Sequence, residues 1–392
     1  MAASSFRVRS RAVRALTLAL PFAVAACGDD TPTGTGGDLN ATSLGAASTQ
    51  VDAALDAPVL HFLIQGSGSA ALGTTVFERS AVAPARAAAA ASLLTTRGGT
   101  GTQATLATAA LESGVRAQIS RAVAASGTPL YDASMYGATF VATPDSVYRD
   151  ADATGAPADG FAVVLVDAAD ATVGTIEVRD SSTASVAKQG VTILTAGGVA
   201  VAQYTESLSG TVPGTGASEL NAQMQGTIGL ESKLTFSRSF SYAEDATGAG
   251  TAVFAGSYTL PGGAHAGVEL RLVDPAQDAT SSLTLTYGRS TFKVEVPSVP
   301  DASSTSGWAP SDTTRIIADG RLIAIVVETR SQDGMVIESQ LLAPDGTNLQ
   351  AADMLVIQRA QELTVKLLQV DFVLGAVEEF VSHVVGYVQL IP

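Results

Sequence analysis

Several stretches between about residues 137 and 346 have an apolar residue at every second position, and this period restricts the possible fold more than any other feature of the chain. Such alternation is typical of strands with one buried face and one solvated face. The connections between the strands are too short for crossover helices, which predicts antiparallel pairing. The apolar positions of the two clearest stretches, 220–231 and 233–242, include Leu220, Met224, Ile228, Phe236 and Phe240.

One strand of this region has a different pattern. Residues 321–327 (RLIAIVV) are apolar on both faces after the first position. A strand that is apolar on both faces is typical of a position covered from both sides. We therefore expect a central, covered strand here.

The region before the sheet has helical period and many alanines. Val51, Ala54 and Leu55 recur at i, i+3 and i+4, which predicts a first helix. Pro58 suits the first turn of a second helix, because proline lacks the N–H that the first turn leaves unused. Apolar residues between 106 and 123 predict a third helix that ends near residue 127.

The region after the sheet, about residues 350–390, is the most hydrophobic part of the chain. Its polar positions follow in steps of three or four, with one gap of nine, and would form a narrow stripe along a helix. The rest of that helix surface is apolar, so the helix must be buried against a large partner. Thr347 or Asn348 is expected to cap its start. Charged residues interrupt the segment, which disfavours a membrane-spanning helix. The stripe comprises Arg359, Glu362, Lys366, Gln369, Glu378, Ser382, Gly386 and Gln389.

The N-terminal 26 residues have the parts of a secretory signal. Four arginines between Arg7 and Arg14 precede a mostly apolar stretch of twelve residues, 15–26, which is too short to cross about 30 Å of hydrocarbon as a helix. Small residues then precede Cys27, the one cysteine of the chain. Val24–Cys27 resembles the bacterial lipobox, in which a diacylglycerol is attached to the cysteine sulfur and the preceding peptide is removed. The alternative is an ordinary signal peptide with an incidental cysteine.

The segment that follows Cys27 is a predicted tether. Residues 28–38 (GDDTPTGTGGD) have no large apolar side chain to bury and would span roughly 20 Å as a flexible coil. In the lipoproteins that this segment resembles, an aspartate directly after the cysteine favours retention in the inner membrane. Gly28 stands at that position, so the resemblance implies a lipid anchor in the outer membrane, on its periplasmic face.

Charge limits the partners that the chain can have. Without the four arginines of the signal, 18 basic residues remain against 37 acidic ones, a formal charge of −19. Nucleic acids and anionic lipid surfaces need clustered Lys and Arg, so we expect neither as a partner. The apolar share of 46% is enough for a large core.

These observations predict an α+β fold in which a large curved antiparallel sheet packs on N-terminal helices and a long C-terminal helical segment. The expected regions are a signal peptide (1–26), the lipidated cysteine and tether (27–40), an alanine-rich helical region (41–128), the sheet region (129–346) and the apolar helical segment (347–392), with 41–392 forming one globular body. In shape, this architecture resembles the periplasmic lipoprotein-carrier half-barrels, although no sequence motif connects the two.

Residues that could carry catalysis are sparse. His61, His265 and His383 are far apart and lack metal-ligand spacing, and the chain has neither a G-x-S-x-G elbow nor a P-loop. We expect no enzymatic activity and no cofactor. An unrecognised hydrolase that uses Asp or Ser chemistry is the remaining catalytic alternative.

One loop resembles the opening of an EF-hand. Asp150, Asp152 and Thr154 stand at ligand positions 1, 3 and 5, and Gly155 at position 6. Phe161 stands where a bidentate Glu is required at position 12. We therefore expect no metal site; the calcium loop is the alternative to a simple polar turn.

Two non-catalytic functions remain. The first is a lipid-anchored envelope protein with a structural or interaction role, whose partners would be the membrane, through its anchor, and another envelope protein. The alternative is a carrier of a hydrophobic ligand. Its ligand would lie on the sheet face that carries Leu220, Met224, Ile228, Phe236 and Phe240, where this face meets the C-terminal helix.

Overall fold

The computed structural model describes residues 39–65, 131–183, 186–211, 218–244, 250–273, 280–297, 311–330 and 336–388. Within these ranges the chain is mostly β, with a large mixed sheet and a few helices, a coarse α+β arrangement. The signal peptide, Cys27, the tether and the predicted third helix lie outside the described residues.

Three α-helices are described: α1 (Ala41–Leu55), α2 (Pro58–Gln65) and α3 (Ala351–Val388). The Asn40 side chain caps α1 by accepting a hydrogen bond from the Ser43 N–H, 2.8 Å away. Val51, Ala54 and Leu55 are buried on α1, and α2 begins at Pro58, so both N-terminal helix predictions are confirmed.

The long C-terminal helix is also confirmed, but the prediction of its cap is wrong. Helix α3 begins at Ala351, and the Met354 N–H donates to the Gln350 carbonyl, so Gln350 holds the capping position. The Thr347 hydroxyl donates to Asp345 instead, at 2.6 Å, and Asn348 forms a β-bridge with Leu342. A turn therefore uses the two residues that were expected to cap the helix.

A 3₁₀ turn (Ala133–Met135) precedes fifteen strands. The strands are β1 (Ala138–Ala142), β2 (Val147–Asp150), β3 (Gly160–Val166), β4 (Thr172–Asp180), β5 (Ala187–Thr195), β6 (Ala200–Thr211), β7 (Ser218–Ile228), β8 (Leu234–Glu244), β9 (Gly250–Thr259), β10 (His265–Val273), β11 (Thr280–Tyr287), β12 (Ser290–Pro297), β13 (Ser311–Ala318), β14 (Arg321–Arg330) and β15 (Val336–Leu342). From β3 to β15 each strand pairs antiparallel with the next one along the chain. The alternation of residues 220–242 is confirmed as the β7–β8 hairpin.

The expectation of a purely antiparallel sheet is wrong at one end. Strand β1 lies between β2 and β3 and pairs parallel with β3, with Phe140 opposite Val163. All five residues of β1 are buried, as are most of β3. Burial on both faces is typical of parallel pairs, and it explains why residues 161–166 (FAVVLV) form a continuous apolar run rather than an alternating one.

The predicted covered strand, β14, is not central. It is second from the edge of the sheet, between β13 and β15. A register shift beside Ile316 leaves Ile323 without an opposite residue, so Ile323 and Ala324 are both buried. This β-bulge breaks the alternation and produces the run of apolar residues.

Outside the β1–β3 end, one side of the sheet is buried and the other is exposed; we call them the inner face and the outer face. The inner-face side chains belong to the same core cluster as the buried side chains of all three helices. From β4 to β14, for example, the inner face carries Ile176, Val191, Tyr204, Ile228, Phe236, Tyr258, Val268, Leu285, Phe292, Ile316 and Val326.

The N-terminal helices contact the turns at one end of the sheet. The Gly262 N–H, in the β9–β10 turn, donates to the Gln50 side chain of α1 at 3.0 Å. A Cβ at Gly229, after β7, would lie 3.2 Å from the Ala54 Cα, and one at Gly174 in β4 would lie 2.6 Å from Val59 Cγ2 of α2. Helices α1 and α2 therefore lie along this end, with glycines at two of the closest approaches.

Helix α1 also covers part of the polar stripe of α3. The Lys366 ammonium lies 2.6 Å from the Asp52 carboxylate of α1, and Arg359 pairs with Glu362 at 2.6 Å on α3 itself. Within the described ranges, no helix combines the length and the apolar character needed to cross a membrane.

We expect Gly226→Ala to destabilise the fold by about 1–3 kcal/mol, the usual cost of forcing an extra carbon into a packed site. Gly226 lies in β7, and a Cβ there would overlap the Gln203 carbonyl oxygen and lie 2.5 Å from Tyr204 Cβ. Gly190→Ala is the matched control, because its Cβ would meet nothing closer than Arg179 Cβ at 3.9 Å. Denaturant unfolding measures both variants, and equal stabilities would contradict the packing.

Candidate functional site

The described residues of the apolar face proposed for ligand binding are buried. Met224, Ile228 and Phe236 are only 4%, 0% and 2% exposed, and all three belong to the core cluster that includes α3. The side chains of Leu220 and Phe240 lie outside the described part of the structure; their backbones pair in the β7–β8 ladder. The three described side chains therefore belong to the buried core.

A polar row crosses the inner face between these apolar residues. Gln189 of β5, Glu206 of β6, Met224 of β7 and Arg238 of β8 are consecutive partners in the strand ladder. Gln189 and Glu206 are 7% and 6% exposed. The Gln189 amide donates to the Glu206 carboxylate at 2.7 Å, and an Arg238 guanidinium nitrogen lies 3.4 Å from the Met224 sulfur. The row is a buried hydrogen-bonded feature that the apolar pattern of the neighbouring positions obscured.

Two tyrosines connect the segment before β1 to the polar end of β4 and β5. The Tyr131 hydroxyl donates to the Gln189 side chain, and the Tyr136 hydroxyl donates to Asp180 at 2.7 Å. Burial, together with the Asp180 hydrogen bond and negative charge, raises the pKa of Tyr136 well above its usual value. The Tyr136 hydroxyl is thus held as a neutral donor, and the two hydrogen bonds suit an anchoring role for this segment.

A cleft of about 570 Å³ lies over strands β5 to β8. Most of its lining residues are on the outer face, because they alternate with the buried residues of the same strands. The side chains of Met224 and Arg238 contact each other on the inner face, so the cleft meets their backbones as its floor. It is lined by Val186, Lys188, Thr205, Ser207, Gln223, Gln225, Ser237 and Ser239 with Met224 and Arg238.

The cleft residues form two registered rows. Thr205, Gln225 and Ser237 are partners across β6, β7 and β8. The second row places Lys188 of β5 opposite Ser207, followed by Gln223 and Ser239. These positions appear in the sequence only as the polar half of the alternation, and nothing local distinguishes them from any other solvated sheet face.

The two histidines with described side chains, His61 and His265, have separate partners. His61 is exposed and lies 3.5 Å from the Asp56 carboxylate. The Nδ1 of His265 lies 3.1 Å from the Thr259 hydroxyl in an exposed turn. The side chain of His383 lies outside the described residues. The two described rings are on different elements, α2 and the start of β10.

The EF-hand-like loop forms the connection from β2 to β3. One carboxylate oxygen of Asp150 accepts hydrogen bonds from the backbone N–H groups of Asp152 and Ala153, at 3.0 and 3.2 Å. Asp159 pairs with Arg179 at 2.8 Å. In the part of the chain that the structure describes, no group of three or more His, Cys, Asp or Glu side chains could hold a metal ion. The hydrogen bonds of Asp150 are those of a polar turn.

The comparisons with known proteins give no further information about these features. No protein-family model, no curated protein and no solved structure matches the chain.

Proposed function

We propose that the chain is a lipid-anchored protein of the bacterial cell envelope, held in the outer membrane through Cys27, with a structural or interaction role rather than a catalytic one. The anchor rests on the basic segment, the short apolar stretch and Val24–Cys27, in that order along the chain. Residues 28–38 would act as a flexible tether that lets the globular body extend away from the membrane surface.

The burial of the described inner-face side chains is the observation that favours an interaction role over a carrier role. A carrier of a hydrophobic ligand needs apolar side chains around an open space. Met224, Ile228 and Phe236 are instead buried in one cluster with α3 side chains such as Leu363 and Leu367. The cleft over β5–β8 is polar and on the opposite face.

We also propose that the sheet curls around α3. Fifteen strands spaced about 4.8 Å apart would be roughly 67 Å wide if flat, and twisted open sheets of more than about ten strands usually curl or divide. Helix α3 contacts both β2, at one edge, and β10, nine positions away in the strand order. A curled sheet brings these strands near one helix and covers the inner face of the strands between them.

Titration of the purified body, from Leu39 onward, with a fluorescent fatty acid tests the interaction role against the carrier role. We expect no saturable uptake, because the side chains that would bind the acyl chain are packed against each other. The carrier function would be supported instead if the unmutated body took up the fatty acid saturably and if Met224→Asp, a substitution on the inner face, abolished this uptake. Gln223→Asp is the matched control, since it places the same charge on the outer face of the same strand.

A further inference from the structure

We propose that the outer-face cleft over β5–β8 binds an uncharged oligosaccharide of two or three sugar units. This inference rests on the proposed interaction role and names the chemical class of the ligand. The cleft volume of about 570 Å³ falls within the range of roughly 300–1,000 Å³ that is typical of small-molecule sites.

The lining groups match the chemistry of a sugar. Thr205, Ser237 and Ser239 contribute hydroxyls, which both donate and accept hydrogen bonds. Gln223 and Gln225 contribute primary amides, each with two donor hydrogens and an acceptor oxygen. A sugar ring presents the same mixture on adjacent hydroxyl groups, so several bonds of both polarities can form at once.

The same lining disfavours other classes of ligand. It contains one ammonium and one guanidinium residue, Lys188 and Arg238, and the Arg238 side chain contacts Met224 on the inner face. A polyanion such as a nucleic acid needs several clustered cations. The lining has no carboxylate for a hard cation. An acyl chain would bury hydroxyls and amides without partners, which is costly.

The strand ladder gives the cleft a regular floor. Neighbouring strands lie about 4.8 Å apart, and residues on the same face of one strand lie about 6.8 Å apart. Two rows across four strands therefore present polar groups over about 14 by 7 Å. Because the ladder fixes the backbone of these residues, the entropy lost when a ligand binds is limited to that of the side chains.

The outward positions of β6, β7 and β8 around the cleft carry no charge, although the chain as a whole is strongly acidic, and Lys188 on β5 is the charged outward side chain of the lining. Every outward position is Ser, Thr, Asn or Gln from Gln203 to Ser209 on β6, from Asn221 to Thr227 on β7 and from Thr235 to Ser241 on β8. An acidic protein that recognised a charged partner would be expected to present countercharges on this face. A neutral, polyhydroxylated ligand requires none.

The test is ligand-observed saturation-transfer NMR on the full mature chain, kept in a zwitterionic detergent that contains no sugar. The probes are chitotriose, cellotriose and maltotriose. We expect saturable binding of at least one of them. Thr205→Val and Gln225→Ala should each weaken it by about two- to tenfold, the effect of removing one or two neutral hydrogen bonds. Thr205→Val nearly preserves the shape and favours a strand, so the fold should persist.

Thr284→Val is the matched control. Thr284 is on the outer face of β11, outside the cleft, and its replacement should leave binding unchanged. Absence of binding by all three trisaccharides overturns the inference, and so does binding that Thr205→Val and Gln225→Ala do not affect. Membrane fractionation of the cells from which the chain is purified reports on the anchor separately, so a failure of the lipid-anchor proposal is distinguishable from a failure of the sugar site.

Discussion

Cys27→Ser should abolish fatty-acid labelling of the exported chain. The proposed anchor is attached through the cysteine sulfur, and Cys27 is the one thiol in the chain. A diacylglycerol with an amide-linked acyl chain would provide three hydrocarbon chains, where a single chain gives only marginal membrane binding. The measurement is metabolic labelling with a radioactive fatty acid, followed by separation of membrane and aqueous fractions. The variant should accumulate as the longer, uncleaved precursor.

Gly28→Asp serves as the control for this experiment. It leaves the sulfur in place, so labelling should persist, while an aspartate directly after the cysteine should move the protein to the inner membrane. If the Cys27→Ser variant retained its label, the lipoprotein hypothesis would be wrong and the N-terminal segment would be an ordinary export signal. Loss of labelling in both variants would instead point to a processing defect that is not specific to the sulfur.

The secondary structure of the described ranges follows from local sequence patterns. The alternation through Met224 and Phe236 gives β7 and β8, and the apolar positions of α1 and α3 give the two longer helices. These predictions succeed because the period of a strand or helix is set by backbone geometry, which acts over a few residues. The parallel pairing of β1 with β3 has only one local sign in the sequence, the continuous apolar run at 161–166. The order of the strands depends on contacts between residues that are distant in the sequence, so local patterns do not predict it.

The two polar features of the sheet were harder to predict. Glu206 and Gln189 occupy inward positions, between apolar residues two positions away such as Tyr204 and Val191. Their place in the alternation would have identified them as buried polar residues. The outer cleft has no such signal, because it exists only when Thr205, Gln225 and Ser237 are brought into register across three strands. That register depends on the turns and on the buried face, not on the cleft residues themselves.

The second large effect concerns the later half of α3. Phe380→Ala should destabilise the fold by about 3–5 kcal/mol, the usual loss when a buried aromatic ring is removed and a cavity remains. Phe380 is 2% exposed, and its neighbours in the core cluster include Val377 and Val384 on the same helix. Denaturant unfolding of the body from Leu39 onward measures the effect, read from the midpoint at an unchanged slope.

Leu368→Ala and Glu362→Ala, on the same helix, serve as comparison variants with smaller expected losses of stability. Leu368 is partly buried against the core, so Leu368→Ala should lower the free energy of unfolding by an amount between the effects of the other two variants. Glu362 is on the polar stripe with its side chain 40% exposed, and its pairing with Arg359 is at the surface; its removal should cost less than about 0.5 kcal/mol. A near-zero loss for Phe380→Ala, with the expected loss for Leu368→Ala, would place the end of α3 outside the core. The sheet would then curl around only the first turns of this helix, and other residues would have to pack against the rest of its inner face.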